Sequence, residues 1–153
     1  MVATKINSDY NRTLRKILSV YGKGCIEGNF TSVQKIIQQS SDSGLIIHAK
    51  NDDGFTGFMF ACLHGHVNIV NLILNHKEGR NALNAQNRMG ENGFIIACKN
   101  DQSQVIKMIL EHPNTTFDSV NARNLDGDRA LDIALRNPLR FQKIRRMLLS
   151  FYE

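Results

Sequence analysis

The chain has 153 residues, enough for one domain, and its 42% hydrophobic and 22% charged residues are typical of a folded protein and exclude intrinsic disorder. It has no apolar run as long as the roughly 20 residues that a membrane-spanning helix needs, and no apolar block of a secretory signal at its N-terminus. The net charge of +5 lies at the two ends, because residues 24–128 carry eight basic and eleven acidic side chains, and this argues against a nucleic-acid-binding stripe.

The N-terminal segment predicts a helix. Its larger apolar residues recur at helical spacing, at Tyr10, Leu14, Ile17, Leu18 and Tyr21. Gly22 and Gly24 leave the continuation of this helix open. The stretch 24–28, Gly-Cys-Ile-Glu-Gly, matches residues 61–65 and is a weak first copy of an internal repeat.

Three clearer copies of the repeat follow, beginning at residues 51, 87 and 124. Each starts with Asn-x-x-Gly, and the glycine recurs after 36 and then 37 residues. Glycine adopts positive φ without steric penalty, so this start predicts a tight turn. An alanine recurs with the same spacing seven residues later, at Ala61, Ala97 and Ala134.

Each copy predicts two short helices. Thr56 and Asn92 stand where an N-cap is expected, and an apolar helix follows, from Phe58 to His64 in the second copy. Gly65 ends this helix, and Asp101 replaces it in the next copy. The second helix carries apolar residues at the spacing of one buried face: Val67, Ile69, Val70, Ile73 and Leu74, then Val105, Ile106, Ile109 and Leu110. Two such helices bury too little surface alone, so the copies must stack.

This pattern resembles the ankyrin repeat over about residues 20–150, most closely in Asp53-Gly54-Phe55-Thr56, Ala61 and Gly65-His66. The resemblance implies an all-α fold, an ankyrin-type α-solenoid of about four helix-turn-helix repeats joined by β-turn or hairpin loops. We expect a single ankyrin repeat domain over residues 1–153. It divides into an N-terminal helix with a capping repeat (1–47), two repeats (48–83 and 84–120) and a C-terminal capping repeat (121–153).

The sequence departs from the family at its Thr-Pro-Leu-His tetrapeptide, which begins here as Thr56-Gly57, Asn92-Gly93 and Arg129-Ala130. Proline is pre-organised for the first helical position, and the family's histidine is also missing. We therefore expect a less stable array than a consensus one. The extra residues of each copy fall at 75–81 and 112–119, which predicts longer loops than usual.

The outer copies carry polar residues where the inner ones carry apolar residues that meet a neighbour. Ser32 and Lys35 take these positions in the first copy, and Lys143 and Arg146 take them in the last. A capping repeat needs such residues because one of its faces meets water. We therefore expect an array of four helix pairs with both ends capped.

The residues that first suggest chemistry are better explained by the repeat. Cys25, Cys62 and Cys98 take the same position in successive copies and Leu135 takes it in the last, which predicts buried core residues; a stacked row of thiols is the alternative. His66 is expected to be structural and His64 to lie at the surface. Without a zinc, calcium or catalytic motif, we expect no metal, no cofactor, no catalytic residues and no enzymatic activity.

The resemblance implies that a partner binds the concave surface, formed by the turn tips and the exposed side of each first helix. We expect Phe55 and Met89 to be its central anchors, because aromatic residues and Met are enriched at interface cores. Phe55, Leu63, Met89 and Leu125 are apolar residues rimmed by charges, although scattered exposed hydrophobes are also normal. The expected contact residues are Asp52, Asp53, Phe55, Leu63, His64, Arg88, Met89, Glu91, Lys99, Asn100, Leu125, Asp126, Asp128 and Arg136.

The sequence thus predicts a non-catalytic protein–protein interaction module, an adaptor or a host-directed effector. We expect a monomer without membrane insertion, located in the cytoplasm, with the nucleus or a host cell's cytosol as alternatives. The other function considered is nucleic-acid or phosphate-ligand binding through the basic terminal repeats. Its C-terminal candidates, Arg136, Arg140, Lys143, Arg145 and Arg146, are read more simply as a solvated cap face.

Overall fold

The computed structural model describes the backbone of residues 2–153 and the side chains of residues 11–153. The described chain is helical apart from turns and one isolated bridge between Lys50 and Thr56. The helices are α1 (Val2–Glu27), α2 (Phe30–Gln39), α3 (Ser43–His48), α4 (Gly57–His64), α5 (Val67–Leu74), α6 (Gly79–Asn84), α7 (Gly93–Lys99), α8 (Ser103–Glu111), α9 (Phe117–Val120), α10 (Ala130–Arg136) and α11 (Gln142–Tyr152).

The helices stack in two layers. In the first layer α1, α4, α7 and α10 each pack against the next. In the second layer α2, α5, α8 and α11 do the same, and each also packs against the first-layer helix that precedes it. The predicted all-α solenoid of helix pairs is therefore confirmed. None of the helices in the described part of the chain combines the length and apolarity needed to cross a membrane.

The predicted caps and breaks of the inner copies are present. Thr56 Oγ1 and Asn92 Oδ1 each accept a hydrogen bond from the amide three residues on, at 3.3 and 2.9 Å. Gly65 ends α4 with φ 76°, and Asp101 takes φ 58° after α7. Side-chain caps satisfy amides that the first helical turn leaves without partners, so these helix boundaries follow from local chemistry.

The N-terminal helix continues without interruption through both of its glycines. Gly22 has open space around it, whereas a Cβ on Gly24 would lie 2.8 Å from Val33 Cγ2. Gly24 therefore allows α1 and α2 to approach closely. Ile17, Leu18 and Tyr21 pack on the core as their spacing predicts, and the side chain of Tyr10 lies outside the described residues.

The expectation of long loops after each second helix is wrong, because part of the extra sequence is helical. It forms α6 and α9, which bury Leu83 and Val120 respectively. His76 and His112 precede these helices, and each Nδ1 accepts the amide hydrogen two residues on. Each Nε2 then contacts the preceding copy, Ser43 Oγ at 3.1 Å and Asn75 Oδ1 at 3.3 Å.

The glycines that replace the family's proline have a packing role. A Cβ on Gly57 would lie 2.4 Å from the ring of Tyr21, and one on Gly93 would lie 2.5 Å from the ring of Phe58. Both rings are buried and belong to the preceding copy. The missing prolines therefore reflect large aromatic residues at the interfaces between copies, since any side chain at these glycines would overlap a ring.

The two outer copies present polar residues to solvent. Lys35, Lys143 and Arg146 are exposed and Ser32 is partly exposed, and their role as caps stays a prediction. Leu135, expected in the core as the counterpart of the cysteines, is half-exposed. This difference arises because α10 packs mainly against α7 and α11, which leaves its remaining side uncovered.

Candidate protein-binding surface

Three turns of the same geometry project beside the first-layer helices. Asn51, Asn87 and Asn124 begin them, and each Oδ1 accepts the amide hydrogen four residues on, at 2.8, 2.9 and 2.8 Å. The turn glycines, three residues after each asparagine, have φ of 81°, 74° and 80°, a conformation that favours glycine. The asparagine side chain thus closes each turn with a hydrogen bond, in the place of one between backbone groups.

Neighbouring turns are also joined to one another. The amide of Arg88 donates to the carbonyl of Asp53 at 3.0 Å, and the amide of Leu125 donates to the carbonyl of Met89 at 2.9 Å. Gln86 Nε2 adds hydrogen bonds to the carbonyls of Gly90 and Arg123, one within its turn and one beyond it. The tips therefore form a single ordered edge.

Two of the expected contact residues are buried, which corrects their predicted exposure. Glu91 and Asp128 were expected on the open surface, but each carboxylate is covered and paired with a cation at the end of the following helix. Glu91 Oε1 accepts from Lys99 Nζ at 2.5 Å, and Asp128 accepts two hydrogen bonds from the Arg136 guanidinium. These pairs tie each turn to its helix, and only the cations remain exposed.

The four apolar residues singled out from the sequence differ in exposure. Met89 and Leu125 are 53% and 74% exposed at the tips of adjacent turns. Leu63 is half-buried, and so is Phe55, whose ring lies 5.2 Å from that of Phe60. Phe55 is therefore a supported side chain at the edge of the surface, while Met89 and Leu125 present their apolar surface to solvent.

The remaining expected contact residues lie on the same surface. Asp52, Asp53, Arg88 and Asp126 are exposed on the turn tips, and His64 and Asn100 are exposed at the ends of α4 and α7. We call the turn tips together with the exposed ends of α1, α4, α7 and α10 the inner surface. It brings together every expected contact residue except the two buried carboxylates, which support it from beneath.

The carbonyls at the ends of the first-layer helices are capped by the next copy, which the sequence did not reveal. The carbonyl of Ile26 lies 2.9 Å from His66 Nε2, and that of Leu63 accepts from Gln102 Nε2 at 2.9 Å. Arg140 donates to the carbonyl of Lys99 at 3.3 Å. A helix leaves its last carbonyls without partners, and side chains of different type satisfy them here, which hides the pattern from sequence comparison. His66 is structural, as expected.

The three cysteines are free thiols buried in the core. Burial raises the pKa of the Cys25 and Cys98 thiols to about 12 and that of Cys62 well above its ordinary value. Cys98 also donates to the carbonyl of Ala130 at 3.2 Å. Because only a thiolate is an effective nucleophile or metal ligand, these are core residues, as predicted. No group of three His, Cys, Asp or Glu side chains among those described is placed to hold a metal ion.

Ser43 and His76 form a hydrogen-bonded pair that superficially resembles a catalytic dyad. His76 Nδ1 accepts from the amide of Glu78 at 3.2 Å, so in the neutral ring Nε2 carries the proton. Nε2 therefore donates to Ser43 Oγ, whereas a general base would have to accept the serine proton. This arrangement joins α3 to the next copy and does not activate Ser43.

Comparison with known proteins gives one family. A family model described as ankyrin repeats in three copies matches residues 23–116, more than half of the chain. The matched residues run from the end of α1 to the loop after α8, and so include two of the three turns. No curated protein shows a significant match to the chain.

Proposed function

This chain belongs to the ankyrin repeat family, and from that premise we propose that it binds a protein partner through its inner surface. Ankyrin repeats are generally protein–protein interaction modules and are typically non-catalytic. The proposal covers a cytoplasmic adaptor or a host-directed effector that acts as a monomer. These roles differ in whether the partner comes from the same cell or from a host.

The observation that carries the proposal is the exposure of Met89 and Leu125 on adjacent turns whose backbones are fixed. Each turn is held by its own asparagine, and one hydrogen bond joins the two directly. Ordering a mobile loop on binding costs free energy, so apolar side chains on fixed turns favour association. Arg88 and Asp126 stand beside them as a polar rim, which is the usual composition of an interface.

The test is affinity purification from cell extract, followed by titration calorimetry with the captured partner in purified form. We expect Met89→Ser with Leu125→Ser to weaken binding about tenfold or more, since central apolar contacts carry most of the affinity. Leu45→Ser with Leu149→Ser is the matched control, because these leucines are 53% and 43% exposed and lie on α3 and α11, outside the inner surface. Equal loss with both variants, or loss with neither, would move the binding site elsewhere.

Phe55 is tested separately because it also supports the fold. Its ring packs on Phe60, so Phe55→Ala is expected to weaken partner binding and to lower the melting temperature modestly. Phe55→Leu keeps an apolar side chain and should restore the melting temperature more fully than the affinity. A variant that changes stability without changing affinity would exclude Phe55 from the contact.

The alternative of phosphate or nucleic-acid binding is favoured by one observation, on α1. Arg12, Arg15 and Lys16 share a face of this helix, and none of them forms an ion pair with residues 11–153. The C-terminal part of the alternative does not separate the two functions, because Arg136 lies on the inner surface that the first function also uses. Binding through phosphates falls steeply with added salt, so a salt titration of RNA binding with Arg12→Gln and Arg15→Gln separates this function from the first.

A further inference from the structure

One position on the inner surface changes character along the array. It is held by Ile26, Leu63, Lys99 and Arg136, each in the last turn of a first-layer helix. Two aliphatic side chains are thus followed by two cationic ones, and all four are exposed or half-exposed. We call these four residues the inner row. A ligand that crosses successive copies meets an apolar half and then a cationic half.

A second position, eight residues earlier in each copy, is matched to the inner row. Phe55 precedes Leu63, whereas Glu91 precedes Lys99 and Asp128 precedes Arg136 in the same register. The side chains of Glu91 and Asp128 are 8% and 11% exposed, against 47% and 67% for their cations. The carboxylates lie beneath the surface and the cations above them, so each neutral pair presents its cation, and not its carboxylate, to an incoming group.

The first three members of the inner row are each held in place by the copy that follows them. The carbonyls of Ile26, Leu63 and Lys99 are each within hydrogen-bond distance of a side-chain nitrogen of the next copy. In the third case the donor is Arg140, which adds another cation beside Lys99. The cationic half therefore has three positive side chains, those of Lys99, Arg136 and Arg140.

Three exposed carboxylates of the inner surface lie at its apolar half, whereas Asp126 is exposed beside the cationic half. Asp52 and Asp53 are exposed on the turn that leads to Phe55, and Glu27 follows Ile26. These carboxylates disfavour an acidic ligand beside the apolar half. The charge distribution therefore gives a bound segment one preferred direction.

We propose that the partner contributes an extended segment with apolar side chains against Ile26 and Leu63 and acidic side chains against Lys99 and Arg136. This inference rests on the proposed function and specifies its ligand. Packed helices lie about 8–10 Å apart and an extended chain rises about 3.3 Å per residue, so one copy corresponds to about three residues. The segment therefore has two apolar residues about three apart, then two acidic residues at the same spacing.

The chain itself supplies the variants that test this inference. Glu91→Phe with Lys99→Leu places the pair of the second copy in the third, and Phe55→Glu with Leu63→Lys does the reverse. Each exchange keeps a pair that the fold already accommodates, and thermal melting checks that both proteins fold. A library of random ten-residue peptides displayed on phage is then selected on the unmodified chain and on each variant.

The unmodified chain is expected to enrich peptides with apolar residues followed by Asp or Glu in one order along the sequence. Glu91→Phe with Lys99→Leu should select peptides with fewer acidic and more apolar residues. Phe55→Glu with Leu63→Lys should select peptides with acidic residues where the unmodified chain selects apolar ones. Three outcomes would overturn the inference. They are enrichment of Lys or Arg, selected peptides without a common order of apolar and acidic residues, and selection of the same peptides by all three proteins.

The captured natural partner distinguishes failure of this inference from failure of the proposed function. If replacing Met89 and Leu125 abolishes capture while both exchanges leave the affinity unchanged, the inner surface binds a protein but the apolar–acidic segment is refuted. If neither the replacements nor the exchanges affect capture, both the surface and the inference fail. A drop in affinity with each exchange, together with the expected peptide enrichment, supports both.

Discussion

Replacing Gly93 by alanine is expected to destabilise the protein, although alanine normally stabilises a helix. A Cβ at Gly93 would lie 2.5 Å from a ring carbon of Phe58 and 3.0 Å from Cys62 Sγ. The first distance is about 1 Å short of the 3.5–4.0 Å optimum for carbon contacts. Phe58 is fully buried, so its ring has no free space into which to move.

The two opposing effects can be compared in magnitude. Forcing an extra methyl group into a filled core typically costs about 1–3 kcal/mol. The gain in helix propensity from Gly to Ala is at most about 1 kcal/mol, and smaller at the first position of a helix. We therefore expect Gly93→Ala to lower the free energy of unfolding by about 1–2 kcal/mol. The family-like Gly93→Pro should also be destabilising, because the proline ring occupies the same space.

Urea unfolding of the two variants and of Gly22→Ala provides the measurement. Gly22 lies within α1, and a Cβ added to it would have no other atom within 4 Å, so alanine there should stabilise by up to about 1 kcal/mol. Phe58→Leu combined with Gly93→Ala should lose less stability than the sum of the single changes, because the smaller side chain leaves room. If Gly93→Ala raised the midpoint as Gly22→Ala does, the close approach of the two copies would be wrong.

Three further changes test other contacts. Tyr21→Phe should raise the free energy of unfolding by about 1 kcal/mol in urea titrations. The buried Tyr21 hydroxyl makes no hydrogen bond of normal geometry, and the Cys25 thiol beside it is a weak partner. A large loss of stability would contradict this. Asn92→Ala should cost about 2 kcal/mol in the same assay by removing a buried N-cap. Asn92→Thr should recover only the cap, as Thr56 caps α4, because Asn92 Nδ2 also donates to the buried carbonyl of Ser119 at 2.8 Å. Burial lowers the pKa of His112 below 6.5, so the unfolded state binds the proton more readily and stability should fall as the pH drops below 6.5 through the folded pKa. His112→Gln should reduce the slope of the melting temperature against pH in this range. An unchanged slope would show that another group causes the loss of stability.

Most of the fold was accessible from the sequence because its signals are local. The caps Thr56 and Asn92, the breaks at Gly65 and Asp101, and the apolar spacing of α5 each depend on residues within one or two turns of helix. Such signals recur in each copy, so agreement among the copies reinforced them. The family followed from the same agreement.

The candidate surface could be predicted only in outline. The sequence identified the exposed turn tips, including Met89 and Leu125, because their place in the repeat fixes their exposure. It misplaced Glu91 and Asp128, since charged residues on a turn are normally solvated. Each is buried because a cation eight residues later pairs with it, and that pairing requires the turn to fold back onto its helix.

The sequence by itself determined that the copies exist, that each has two helices, where the first helices of the inner copies are capped and broken, and that the copies must stack. Only the tertiary structure decided why Gly93 replaces a proline, and why Leu135 is exposed where Cys98 is buried. In both cases the deciding contact lies between copies, where a ring from the preceding copy fills the space at Gly93 and no helix covers Leu135. The physical reason is that caps and turns satisfy hydrogen bonds within a few residues, whereas burial depends on neighbours about 36 residues away along the chain.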